Sequence, residues 1–151
     1  WESDEGLYAQ ILLCDQLSRN CFRGTDEAFQ YDDLAVQIVR GLVQRKVYLN
    51  YDITHFAFLT TPGQHSEELS DHEMNVELIA YMKEKFGENN FMIQSTERFC
   101  LEHKALIDRF GRYPHRNPAL GRENTEDEAA WLADYDNLPG FAKSQLPPPK
   151  K

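Results

Sequence analysis

No stretch of this sequence stays apolar for long. The compact run Ile11-Leu12-Leu13-Cys14 is typical, whereas a helix needs about 20 apolar residues to span a bilayer. No membrane span is therefore expected, and no secretory leader pattern is visible. Cysteine is scarce: Cys14, Cys21 and Cys100 form no C-x-x-C element. That spacing argues against a disulfide scaffold and points to a reducing, cytoplasmic setting with three inert, partly buried thiols. Positive charge is also in deficit. Sixteen Lys and Arg face 25 Asp and Glu, a net charge of −9. A duplex-binding protein needs a basic face, so no nucleic-acid role is expected. No segment shows the strict alternation of a half-buried strand.

What remains is an ordinary globular composition, 41% hydrophobic and 27% charged over 151 residues. A chain of this size forms one domain and buries about 70% of its unfolded surface. Apolar residues recur at three- and four-residue spacing, which predicts an all-α chain of about six antiparallel helices in a bundle or short solenoid. The first covers 6–19, carrying Leu7, Ile11 and Leu12. The second covers 26–46, capped by Thr25, with Val36, Val39, Leu42 and Val43 on its apolar face. A short third covers 52–60 and is broken by Thr61-Pro62-Gly63. The fourth starts at Ser66 and runs to Phe86, and the fifth covers 90–110, ended by Gly111. A loop spans 111–124, followed by a helix over 126–135. Thr125 and Glu128 form the capping box of that helix. The domain is expected over 1–141, with an extended or disordered tail over 142–151 that contains Pro147-Pro148-Pro149.

Three polar stretches interrupt the apolar pattern. They are Asp15-Gln16-Leu17-Ser18-Arg19-Asn20 with Arg23, His65-Ser66-Glu67-Glu68 with His72-Glu73, and Arg109 to Asn117 with Arg122. The third is locally basic: residues 104–122 carry five Lys and Arg against Asp108 alone. Arginine offers planar paired donors to carboxylates and phosphates. Asp15, Arg19, Arg23, Arg112, Arg116, Asn117 and Arg122 are therefore the candidate ligand-binding residues, for an anionic small molecule or peptide. The alternative is that the arginines pair internally with Asp15, Asp32, Glu67 and Glu73 and lock helix ends together. Trp131, Tyr113, Phe22 and Phe29 read as core aromatics beside this cluster.

The strings LLCDQLSRNCFRGTDEAF, QHSEELSDHE, RFGRYPHRNPALGREN and TEDEAAWL resemble the domain-of-unknown-function 924 family, over residues 1–141. The resemblance implies an all-α fold similar to tetratricopeptide repeats, with no assigned activity. It also implies that Glu73 and His103 belong to the family signature. The chain departs from the family pattern at His72, where Gln is usual, and at Ser18, where Pro is usual. Family members usually carry several dozen further residues upstream, so the resemblance implies an N-terminally truncated domain that begins at Trp1.

Two functional readings follow. The first is a binding or scaffold module whose Arg/His/carboxylate cluster takes an anionic ligand. The second is a small hydrolase-type enzyme in which His65 and His115 act as acid and base, oriented by Glu67 or Asp15. Binding is the favoured reading, because Ser66 lies in no nucleophile motif. No metal is expected: His65, Glu67, Glu68, His72 and Glu73 match no ligand spacing, and nothing calls for a cofactor. The sequence names no oligomeric state. His103, alone on its helix, reads as a satisfied core residue.

Overall fold

The computed structural model describes residues 1–146. Among them the chain is all-helical, with no strand. The α-helical elements are α1 (Asp4–Ile11), α2 (Ser18–Cys21), α3 (Asp32–Gln44), α4 (Ile53–Leu59), α5 (Thr61–His65), α6 (Leu69–Phe86), α7 (Phe91–Phe110), α8 (Asn117–Leu120), α9 (Glu126–Ala133) and α10 (Gly140–Lys143). They are shorter and more numerous than the six expected. No described helix is long and apolar enough to cross a membrane.

Local chemistry accounts for the boundaries. The Ser3 hydroxyl accepts from the Gly6 amide and opens α1, with Asp4 and Glu5 in its first turn. Asn90 caps α7 by accepting from the Met92 amide, and Gly111 ends that helix at φ 68°. The capping box read from the sequence is present at α9, with both Thr125 and Glu128 engaged. Between α1 and α2 the helix widens into a π-turn over Leu12–Leu17, in which the Ser18 amide reaches back to the Leu13 carbonyl. Such wide turns are rare and recur at functional sites.

Several expected boundaries move. The helix expected over 26–46 is a 3-10 turn (Asp26–Phe29) followed by α3. Pro62 does not end the helical run. It sits in the first turn of α5, where its missing N–H costs nothing. Ser66 lies between α5 and α6 and does not start α6. The expected loop 111–124 contains a 3-10 turn (Pro114–Arg116) and α8. The expected tail boundary at 141 falls inside α10, where Ala142 is fully buried; the Pro147–Lys151 part of that tail lies outside the described residues. Cys100 is buried, but Cys21 is exposed rather than partly buried, and all three thiols are free. Phe22 is exposed as well and belongs to no core.

Two apolar clusters hold the helices. The larger joins Ile11, Val39, Leu42, Phe56, Leu59, Leu78, Met82 and Ile93. The smaller joins Leu106, Ile107 and Tyr113, with Phe110, Trp131 and Phe141 packed against it. Burying each such side chain contributes about 1.5–3 kcal/mol. Helix α7 serves both clusters, through Ile93 at one end and Leu106 and Ile107 at the other. His103 falls between them on the same helix, facing the polar network.

Candidate functional site

The network begins at the π-turn. That turn carries Asp15, whose carboxylate is fully buried. An isolated buried carboxylate is costly, so its partners matter. Gln16 Nε2 donates to Asp15 Oδ2 at 2.6 Å, and His65 Nδ1 lies 2.6 Å from Asp15 Oδ1. The His65 and Arg19 charges and the His65 hydrogen bond outweigh burial and hold Asp15 well below the usual carboxylate range. An ionised Asp15 at that distance makes His65 Nδ1 a donor. Arg19 Nε, 3.1 Å from the same nitrogen, then has no lone pair to donate into. Among the described residues the remaining ring nitrogen, Nε2, has no hydrogen-bond partner, and it carries the ring's lone pair. His65 lies on the wall of a cleft. Burial, with Arg19 and Arg116 adding to it, lowers the His65 pKa against the opposing pull of Asp15.

The arginines are mostly committed to internal partners. Arg19 grips Asp32 through two bonds of 2.8 Å and also donates to the Ala28 carbonyl. Arg116, 5% exposed, donates to the His65 carbonyl at 2.8 Å and reaches Asp32 at 3.4 Å. Its guanidinium lies over the rings of Tyr113 and Phe29, 4.4 and 4.7 Å from their centroids. Burial foremost, and then the Arg19 charge, push it down to about 10, so it stays charged at neutral pH. Arg122 pairs with both oxygens of Glu67, at 2.7 and 2.9 Å, and its Nε donates to Asn117 Oδ1. Arg112 pairs with both oxygens of Glu128, at 2.6 and 2.7 Å. Glu67 and Glu128 are both held below the usual carboxylate range. For Glu67 the Arg122 hydrogen bond and the Tyr113 amide outweigh burial, and for Glu128 the Arg112 hydrogen bond leads. The arginines of the basic loop are thus paired within the fold, although Arg116 Nε is buried with no hydrogen-bond partner among the described residues.

A cleft of about 300 Å³ opens where the π-turn, α2, the 3-10 turn Asp26–Phe29, α5, α7 and α10 meet. Arg19, Arg23, His65 and His103 line it, beside Phe29, Phe99 and Phe141, with amide groups from Gln16, Asn20, Gln64 and Gln145. No carboxylate is among its lining residues. Arg23 is exposed and, among the described residues, meets no carboxylate; its one side-chain bond is to Asn20 Oδ1 at 3.3 Å.

Of the candidate residues, the structure gathers Asp15, Arg19, His65 and Arg116 into one network and brings Arg19, Arg23 and His65 to the cleft wall. Arg112, Asn117, Arg122 and Glu67 form a separate knot around α8 and α9, off the cleft. His115 is not on the wall either. It is buried among Tyr113, Trp131 and Phe141, and its Nδ1 has no hydrogen-bond partner among the described residues. Among the described residues no group of three or more metal-ligating side chains converges. His103 is a cleft residue the sequence reading assigned to the core. Its Nδ1 faces the Phe99 carbonyl at 2.7 Å, and its ring stacks on Phe141 at 3.8 Å. Its sequence signal was its i,i+4 relation to Phe99, matched across the cleft by the polar spacing of Gln16, Arg19, Asn20 and Arg23.

Fold and site together define an all-α protein with a carboxylate-free basic cleft over a buried Asp–His pair. The chain belongs to the family described as bacterial proteins of unknown function, DUF924, whose model matches residues 1–136. The chain is also similar to a solved protein of unknown function from Agrobacterium tumefaciens. Identity is 29% and the TM-score 0.69, over 88% of this chain and 70% of that one. A search of curated proteins finds no match.

Proposed function

We propose that the protein is a binding module whose cleft takes a small anionic ligand. One observation carries this reading: on a chain of net charge −9, the cleft wall bears two arginines and two histidines but no carboxylate. Arg23 supplies the uncommitted charge, since Arg19 is already bound to Asp32. The ligand's anionic group sits against the Arg23 guanidinium, and the aromatic walls exclude water from it. Helix pairs such as α6 and α7, joined by a four-residue connection, support reading the fold as a short tetratricopeptide-like stack with a concave binding face. A cytoplasmic location is consistent with the free thiols.

Titrating the protein with benzoate and with inorganic phosphate, followed by amide and side-chain NMR, tests the reading. Saturable shifts at Arg23 Nε–H, His65 and Phe141 are expected. Shifts confined to Arg112 and Arg122, or none that saturate, would overturn it.

A second reading rests on the Asp15–His65 contact itself. A histidine fixed by a buried carboxylate, with its other nitrogen facing a cleft, has the form of a general base. In that reading Asp15, rather than Glu67, orients His65, and His115 takes no part. Cleavage of p-nitrophenyl acetate that His65→Gln abolishes is the result that would favour catalysis over binding alone.

A further inference from the structure

Beside the basic cleft runs a second depression, along α4 and the first half of α7. Thr54, Ala57, Phe58, Phe91, Met92 and Thr96 are among its walls, and none of its lining residues is charged. It shares Thr61, Gln64 and Phe99 with the cleft, so the two adjoin. The groove is an exposed apolar surface: Phe91 is 84% exposed and Phe99 40%, with Phe58 and Met92 close behind. Contiguous apolar surface of this kind marks a binding site.

We propose that cleft and groove form one site for a single-chain carboxylate amphiphile, a fatty acid. Its carboxylate meets the Arg23 guanidinium, and its alkyl chain passes over Phe99 into the groove. The proposal rests on the anion-binding reading of the cleft and adds the ligand class. Three features favour this occupant. The polarity changes once along the path, from basic to uncharged, as it does along a fatty acid. The cleft has one uncommitted arginine, which suits a monoanion better than a polyphosphate. The groove is also built from helices, whose backbone groups are already paired, and two of its polar side chains are engaged. Thr61 Oγ1 donates to the Phe58 carbonyl, and Gln64 Nε2 donates to Thr60 Oγ1. A peptide laid there would leave its amides unpartnered, whereas an alkyl chain has none to satisfy.

Calorimetric titration of the 151-residue chain with acetate, octanoate, decanoate and 1-decanol, below their micelle or solubility limits, tests the proposal. Affinity is expected to rise about twofold to fourfold per methylene of the carboxylate. Arg23→Gln should weaken decanoate about tenfold and leave 1-decanol unchanged. Phe91→Ser and Met92→Ser, both on the surface, should flatten the dependence on chain length. Carboxylates that bind with no gain from chain length would overturn the amphiphile and leave the anion site standing. Decanol binding as tightly as decanoate would overturn both. Failure of every probe, with self-association that Phe91→Ser abolishes, would assign the groove to a second copy of the chain and overturn the proposal.

Discussion

Asp15 and His65 show how one buried charge organises a neighbourhood. The carboxylate selects the His65 tautomer, and burial foremost, with Arg19 and Arg116 adding to it, lowers the ring's pKa against the pull of its acidic partner. Asp15→Asn removes the influence that raises the His65 pKa and lets the new amide donate to Nδ1. The His65 pKa should therefore fall further, and its proton should move to Nε2, as read from imidazole 15N shifts. Unchanged shifts would show that Asp15 does not set the tautomer. Asp15, Arg19, Arg23 and His65 were legible in the sequence because polar side chains stand out within apolar helices. The arginines of the 104–122 loop were legible as a charge excess but not as a site. A local charge count cannot see that Glu67, the partner of Arg122, lies 55 residues away. His103 was legible as a buried residue, which it is, but not as a cleft residue, because a single histidine on a helix carries no period of its own.

At the scale of elements, the sequence pattern gave the long helices well and their connections poorly. The stop of α7 and the cap of α9 were readable from Gly111 and the Thr125 capping box, because those devices are local. The short elements α5, α8 and α10 depend on tertiary contacts, which a propensity reading does not contain. The α5–α6 crossing is the clearest case. Gly63 passes so close to α6 that a Cβ there would lie 2.8 Å from the Asn75 side-chain amide. Asn75 is buried and donates to the Thr60 carbonyl at 2.9 Å. Gly63→Ala should displace that amide and destabilise the protein by about 1–3 kcal/mol in urea unfolding. Gly41→Ala is a control, because nothing lies within 4 Å of its added Cβ. Equal losses for both would mean that the crossing is not tight.

For the whole molecule, the buried histidines set the acid limit. Burial foremost, with neighbouring positive groups adding to it, lowers His103 to about 3 and His115 to about 2. His65 and His72 are lowered in the same direction. In the unfolded chain each histidine titrates near pH 6.5. Below that pH the unfolded state binds protons that the native state refuses, so stability is full above about pH 6.5 and falls as the pH drops. His103 and His115 should each remove about 1.4 kcal/mol per pH unit below about pH 6. The depressed carboxylates Asp15, Glu67 and Glu128 act in a lower window, their contributions being lost as pH falls below about 4. Urea midpoints should therefore drop steeply between about pH 6.5 and about pH 4.5, and His115→Phe should flatten the slope by about one proton. A flat profile would show that these rings accept protons without unfolding. The π-turn has its own molecule-wide consequence. It inserts one surplus residue between Ile11, which anchors the larger core, and Arg19, which faces the cleft. An ordinary helix advances about 100° per residue, so losing that residue would rotate one end against the other by more than a quarter turn. The first helical run thus works as a phase adjuster, setting by one amino acid the angle at which the core presents its cleft.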